Sequence, residues 1–322
     1  MNLQNVKTKW AMALLMMFVF SFTACDDDDD TIPTVSSDIV DIAQNDGRFT
    51  SLVAALTQAN LVSTLQGTGP FTVFAPTDEA FDAFLTDNAF ASLDEVPNDV
   101  LTSVLLNHVV AGKALSTDLS TGYLSSSATE ASTSNPLSIY VNLASGVELN
   151  GISSVSQANV EASNGVIHVV DAVIGLPTVV THALANENFT SLVAALTRDD
   201  LTTDYVSILS GDGPFTVFAP TNDAFQALLD SNDDWSTLAD IPTATLEAVL
   251  NYHVVSGSNV LSTDLGNGQN VTTISDDASF TINLDGGNAS ITDAQGRTSN
   301  IIATDVQGRN GVVHVVDGVL LP

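Results

Sequence analysis

Five histidines, one cysteine and 38 acidic residues are the groups in this 322-residue chain with the chemistry for catalysis or metal binding. A histidine can act as a general base or a ligand, a thiolate as a nucleophile, and paired carboxylates can hold hard cations. Their spacing argues against most of this. Leu101, Val104 and Leu105 precede His108 on one helical face, and Leu246, Val249 and Leu250 precede His253 in the same way. A histidine there is read as a buried hydrogen-bonding residue that fixes a helix end against a sheet. His168 and His314 lie in β-branched runs, three residues before Asp171 and Asp317. Side chains three apart on an extended chain point to opposite faces, so no His–Asp dyad forms within the strand. No Gly-x-Ser-x-Gly elbow occurs, and Gly67-Thr68-Gly69-Pro70 lacks the Lys-Ser/Thr ending of a phosphate loop. Zinc and EF-hand spacings are missing; Asp26–Asp30 and Asp276-Asp277 offer at most weak Ca²⁺ binding. The expectation is a non-catalytic protein with no cofactor and no metal centre.

Charge narrows the partners. Seven Lys and Arg stand against 38 Asp and Glu, a formal charge of −31 at pH 7. Phosphate contacts need clustered cations, so nucleic acid is excluded as a partner. The first 24 residues have a different character, with Lys7 and Lys9, an apolar run from Trp10 to Phe20, and no acid before Asp26. That is the layout of a secretory leader, and the run is too short to span a bilayer. Phe22-Thr23-Ala24-Cys25 resembles a bacterial lipobox, with Phe22 where Leu is usual. Cys25, the only cysteine, is therefore the expected lipidation site, anchoring the mature chain in the membrane by two or three acyl chains. Asp26–Asp30 repel one another and read as a solvated spacer. An acidic run just after a lipidated cysteine also resembles the surface-export signal of Bacteroidota lipoproteins. The expected location is the outer membrane, exposed at the cell surface, with the periplasmic face as the alternative.

The chain repeats itself. Phe49–Thr57 recurs unchanged as Phe189–Thr197, Gly69–Thr77 as Gly213–Thr221, and Leu115–Leu119 as Leu261–Leu265. Asn164–Asp171 recurs as Asn310–Asp317 with one Ile-to-Val change. Order is kept and the offset drifts only slightly, so the expected organisation is a leader at 1–24, an acidic linker at 25–36, and two domains at 37–176 and 177–322. With so short a join the domains should touch or bend against each other.

Each copy needs both kinds of element. Phe49, Leu52, Val53 and Leu56 mark a helical face. Phe71–Ala75 is an apolar strand, after which Thr77 caps a helix whose positive end is favoured by Asp78 and Glu79. Leu137–Leu143 and Phe280–Leu284 alternate as strands, and Val166–Ile174 reads as a buried strand. Helices dominate the first half of each copy and strands the second, an α+β order.

These blocks resemble the fasciclin domain. Phe71–Phe81 and Phe215–Phe225 match its first signature, Asn164–Ile174 and Asn310–Leu320 its closing block, and Tyr252-His253 its central Tyr-His pair. The resemblance implies a β-sheet wedge packed with a helical layer, and a non-catalytic role in adhesion or extracellular binding of protein or glycan partners. Two departures single out the second copy. The first has Asn107-His108 in place of the Tyr-His pair, and Asn159-Val160 where the second has Asp305-Val306. The binding candidates are thus Tyr252, His253, Asp305 and Val306; His108, His168, Asp171, His314 and Asp317 are read as structural. Alternatives are a glycan-binding accessory lipoprotein, against which the few aromatics argue, and an envelope spacer with no dedicated ligand.

Overall fold

The computed structural model describes residues 37–275 and 278–322; the leader, Cys25, the acidic linker and Asp276-Asp277 lie outside them. The first copy runs α1 (Ile39–Asn45), α2 (Thr50–Gln58), α3 (Val62–Leu65), β1 (Phe71–Pro76), α4 (Asp78–Asp87), α5 (Asn98–Asn107), β2 (Val109–Ala111), β3 (Gly122–Thr129), β4 (Pro136–Asn142), β5 (Glu148–Leu149), β6 (Ser153–Ala162) and β7 (Gly165–Val170). The second runs α6 (Val179–Ala185), α7 (Thr190–Leu196), α8 (Tyr205–Ser210), β8 (Phe215–Pro220), α9 (Asn222–Asp230), α10 (Thr243–Tyr252), β9 (Val254–Ser256), β10 (Asn270–Thr272), β11 (Ser279–Asp285), β12 (Asn288–Thr292), β13 (Thr298–Gly308) and β14 (Gly311–Val316). The expected α+β class is met.

The closing strand lies inside each sheet, hydrogen-bonded to a neighbour on both sides. β7 lies parallel to β1 and antiparallel to β6, and β14 relates to β8 and β13 in the same way. Both faces are covered, which explains the nearly continuous apolar run of β7 and β14, interrupted only by His168 and His314. Alternate residues divide between two cores. Val73, Ala75, Ile167 and Val169 pack with the helices, while Phe74 and Val170 face a second core of strand residues such as Ile139 and Val141. The second copy repeats the division with Val217 and Ala219 against Phe218.

The copies differ in closure. In the first, Val110 pairs with Ser126 and joins β2 to β3, so its seven strands close into a barrel. In the second, the order β10-β11-β12-β13-β14-β8-β9 leaves an open sheet. The helices begin where the signature blocks place their caps. Thr77 Oγ1 accepts from Ala80 N at 3.3 Å and Thr221 Oγ1 from Ala224 N at 3.2 Å, each meeting one of the donors a helix start leaves over.

Candidate functional site

The repeated His after the fifth helix of each copy closes that helix. His108 and His253 follow the last residues of α5 and α10. There the backbone N–H groups turn to the i−3 carbonyls, which frees the carbonyls of Val104 and Val249. The imidazole Nδ1–H donates to those carbonyls at 2.7 Å in both copies. Nε2 accepts from Ile174 N at 2.8 Å and from Leu320 N at 2.9 Å, just beyond the closing strands. Both nitrogens are used, and burial pushes each imidazole down to about 4, so both stay neutral.

His168 and His314 do comparable work on the other face. Each stacks on the phenylalanine of the neighbouring strand, Phe74 at 5.6 Å and Phe218 at 5.4 Å between ring centroids. Their Nε2–H groups donate to Ala114 O and Val260 O at 2.9 Å. Asp171 and Asp317 turn instead to the adjacent strand, accepting from Ser154 N and Asn300 N at 2.7 Å. The His and Asp of each block therefore serve different partners.

Three of the four binding candidates lie inside the protein, which corrects the expectation that they face a ligand. Tyr252 is fully buried; its ring meets Phe280 edge-on and its hydroxyl donates to Ser279 O at 2.7 Å and accepts from Ala294 N. His253 is the helix closure already described. Val306 packs in the helical core. The physical reason is local: the tyrosine spans the gap between α10 and the open sheet of copy two. In copy one Asn107 is shorter and donates to Gly175 O at 3.0 Å instead.

Asp305 is different. It is partly exposed, with a left-handed backbone (φ 60°) at a bulge in β13 where the register slips between Ala303 and Val306. Its Oδ1 accepts from Ser262 N at 2.7 Å and its other oxygen takes the Ser262 hydroxyl. Asn159 holds the same conformation (φ 61°) in β6 and accepts from Ser116 N at 2.8 Å. The bulge in copy two also exposes Ile302, at 57%.

His182 carries a role that sequence reasoning missed. Ile42 occupies its place in the first copy, and that departure from the repeat is its sequence signal. His182 is fully buried on α6, its ring meets Tyr123 of β3 edge-on at 5.6 Å, and Nε2 lies 3.2 Å from Gln307 O. Tyr123 accepts from Asn186 Nδ2 at 3.2 Å, and Gln307 N donates to Ser138 Oγ at 3.0 Å. The two copies are thus docked through β3 and β4 on one side and α6 and β13 on the other. Burial pushes Tyr123 up to about 12 and His182 down to about 4. Among the described residues no cluster of His, Cys, Asp and Glu suits a metal ion. Nor is any described helix long and apolar enough to cross a membrane.

Comparison with known proteins places this architecture. The Fasciclin domain family matches residues 47–177 and again 187–322, so the chain belongs to the fasciclin family as a tandem pair. An uncharacterized protein of Synechocystis sp. is 41% identical over 42% of this chain and 96% of its own length. Human periostin is 28% identical over 80% of this chain, which spans 29% of periostin. The transforming growth factor-beta-induced protein ig-h3 of Sus scrofa is 28% identical over 80% of this chain and 35% of its own length. A solved domain pair from the insect cell adhesion molecule Fasciclin I covers 84% of the chain, itself 92% covered, at 19% identity and a TM-score of 0.49.

Proposed function

We propose that this chain is an extracytoplasmic adhesion protein, held at the cell envelope by acyl chains on Cys25, whose docked fasciclin domains bind protein or glycan partners without catalysis. The observation that carries this is the family match over both copies, since the resemblance implies adhesive binding. The site chemistry supports the non-catalytic part: both ring nitrogens of His108 and His253 are spent on backbone groups, and His168 and His314 each hold a backbone carbonyl through Nε2. The partner surface is assigned to the β13 bulge, a stretch that carries the exposed side chain of Ile302 and the partly exposed carboxylate of Asp305. Such a pairing suits a partner with an apolar patch flanked by a cation.

The test is a binding screen of the protein against glycans, matrix proteins and envelope fractions, with and without Ca²⁺. Binding that falls at least tenfold in Ile302→Ser supports the reading. A hit untouched by that change moves the surface elsewhere, and no hit under any condition favours the spacer. Palmitate labelling that is lost in Cys25→Ala checks the anchor, and protease treatment of intact cells checks surface exposure.

A further inference from the structure

The second domain contains a cavity of about 140 Å³ between α6, α7, α8 and β8. The first domain has a void at the same place, of about 10 Å³. Every residue around the smaller void has its repeat partner around the larger one, so the two are one site in two states. Two changes remove core carbon: Ile39 becomes Val179 and Ile167 becomes Val313. The connection before the third helix also lengthens, from residues 59–61 to residues 197–204. The space then opens outward. Val40 and Leu56 are buried in the first copy, whereas Val180 and Leu196 are half-exposed in the second.

Its mouth is more apolar than a plain packing fault would leave it. Gln44 of the first copy is replaced by Leu184, which is 65% exposed. Val206, on the rim, is 38% exposed. Placing large apolar side chains in water at the entrance of an apolar cavity is unfavourable unless something covers them. The three polar side chains in the lining have no free hydrogen bond to offer. The His253 nitrogens hold Val249 O and Leu320 N. The Tyr205 hydroxyl donates away from the cavity to Asn251 Oδ1 at 2.8 Å, and Thr197 Oγ1 donates to Val193 O at 2.8 Å. A polar or charged ligand would lose its water and gain no partner. Water itself finds no partners here either, and dry apolar cavities of about this volume accept benzene.

We propose that the second fasciclin domain is a binding site for a small uncharged hydrocarbon group, an aromatic ring or the end of an alkyl chain, while the first domain has the same site closed. Benzene and 1-octanol distinguish the two sources, because a ring fits within the cavity while a chain must lie across Leu184 and Val206 at the rim.

The experiment uses the full chain. Benzene and 1-octanol are titrated while thermal unfolding and methyl resonances are followed by calorimetry and NMR. Saturating benzene should raise the unfolding temperature by about 2 °C or more. The Val179→Ile/Val313→Ile variant restores the carbon found in the first domain; it should stay folded, be no less stable, and bind at least tenfold more weakly. Leu184→Gln should weaken 1-octanol and spare benzene. Shifts that map to α6–α8 methyls in the wild type and vanish in the filled variant establish the site. No stabilisation by either probe, or equal binding by the filled variant, overturns it.

Discussion

At the scale of single residues, the histidines act as joints, and their removal should be costly. In His108→Ala, the Val104 carbonyl and the Ile174 N–H both lose their partner inside a core that water does not reach. Each orphaned buried group costs about 1–3 kcal/mol, so a loss of about 2–6 kcal/mol is expected, read as a lower urea midpoint at unchanged slope. The same groups set a pH dependence. His108, His182 and His253 are held down to about 4 in the fold by burial, against about 6.5 in an unfolded chain. The native state therefore binds fewer protons between those values. Stability is complete above about pH 6.5 and declines as pH falls toward 4, by on the order of 3 kcal/mol for each histidine. Urea midpoints at pH 7, 5.5 and 4.5 check this, and His182→Ile should make the slope shallower. A flat profile would mean that the native imidazoles take up protons without penalty.

At the scale of elements, the β bulge shows what a repeat teaches. Asn159 and Asp305 use one side-chain oxygen in the same way, on a left-handed backbone that Asn and Asp tolerate better than other residues with a side chain. Asp305→Asn should change stability by less than about 0.5 kcal/mol. Asp305→Val removes the acceptor and puts a β-branched residue at positive φ, so a loss of about 2 kcal/mol or more is expected in thermal unfolding. Much of the element pattern was legible because it is local. The helical stripe of Phe49–Leu56, the Thr77 cap and the β-branched run at Val166 each follow from nearest-neighbour physics. What stayed hidden was non-local. Tyr252 looks like an exposed ligand-binding aromatic in sequence, and only the packing of β11 against α10 shows that it is enclosed. The single Val110–Ser126 pair that closes the first barrel leaves no sequence signal either.

At the scale of the whole molecule, two acidic domains hold together despite like charge. Apart from Lys7 and Lys9, the chain carries few cations, and four of those, Arg48, Lys113, Arg198 and Arg297, sit in ion pairs. Little positive charge is left to join the domains, so short-range contacts must do it. Tyr123 is central among these, since it touches the His182 ring, packs with Tyr140 at 5.0 Å and accepts from Asn186. Truncating it in Tyr123→Ala removes that contact and opens His182 to water. Repulsion between the domains then acts with less to oppose it, and lowering the salt lengthens its reach, from about 8 Å at 0.15 M to about 30 Å at 0.01 M. Calorimetry of the wild-type chain should show the two domains unfolding in one transition at either salt concentration. Tyr123→Ala should show two, further apart at 0.01 M than at 0.15 M, with the burial-raised titration of the residue itself gone. A single transition in the variant would place the coupling in the backbone-side contacts instead, where Gln307 N meets Ser138 and Arg309 N meets Pro177 O. Docking would then be a property of the linker and β13, independent of the aromatic pair.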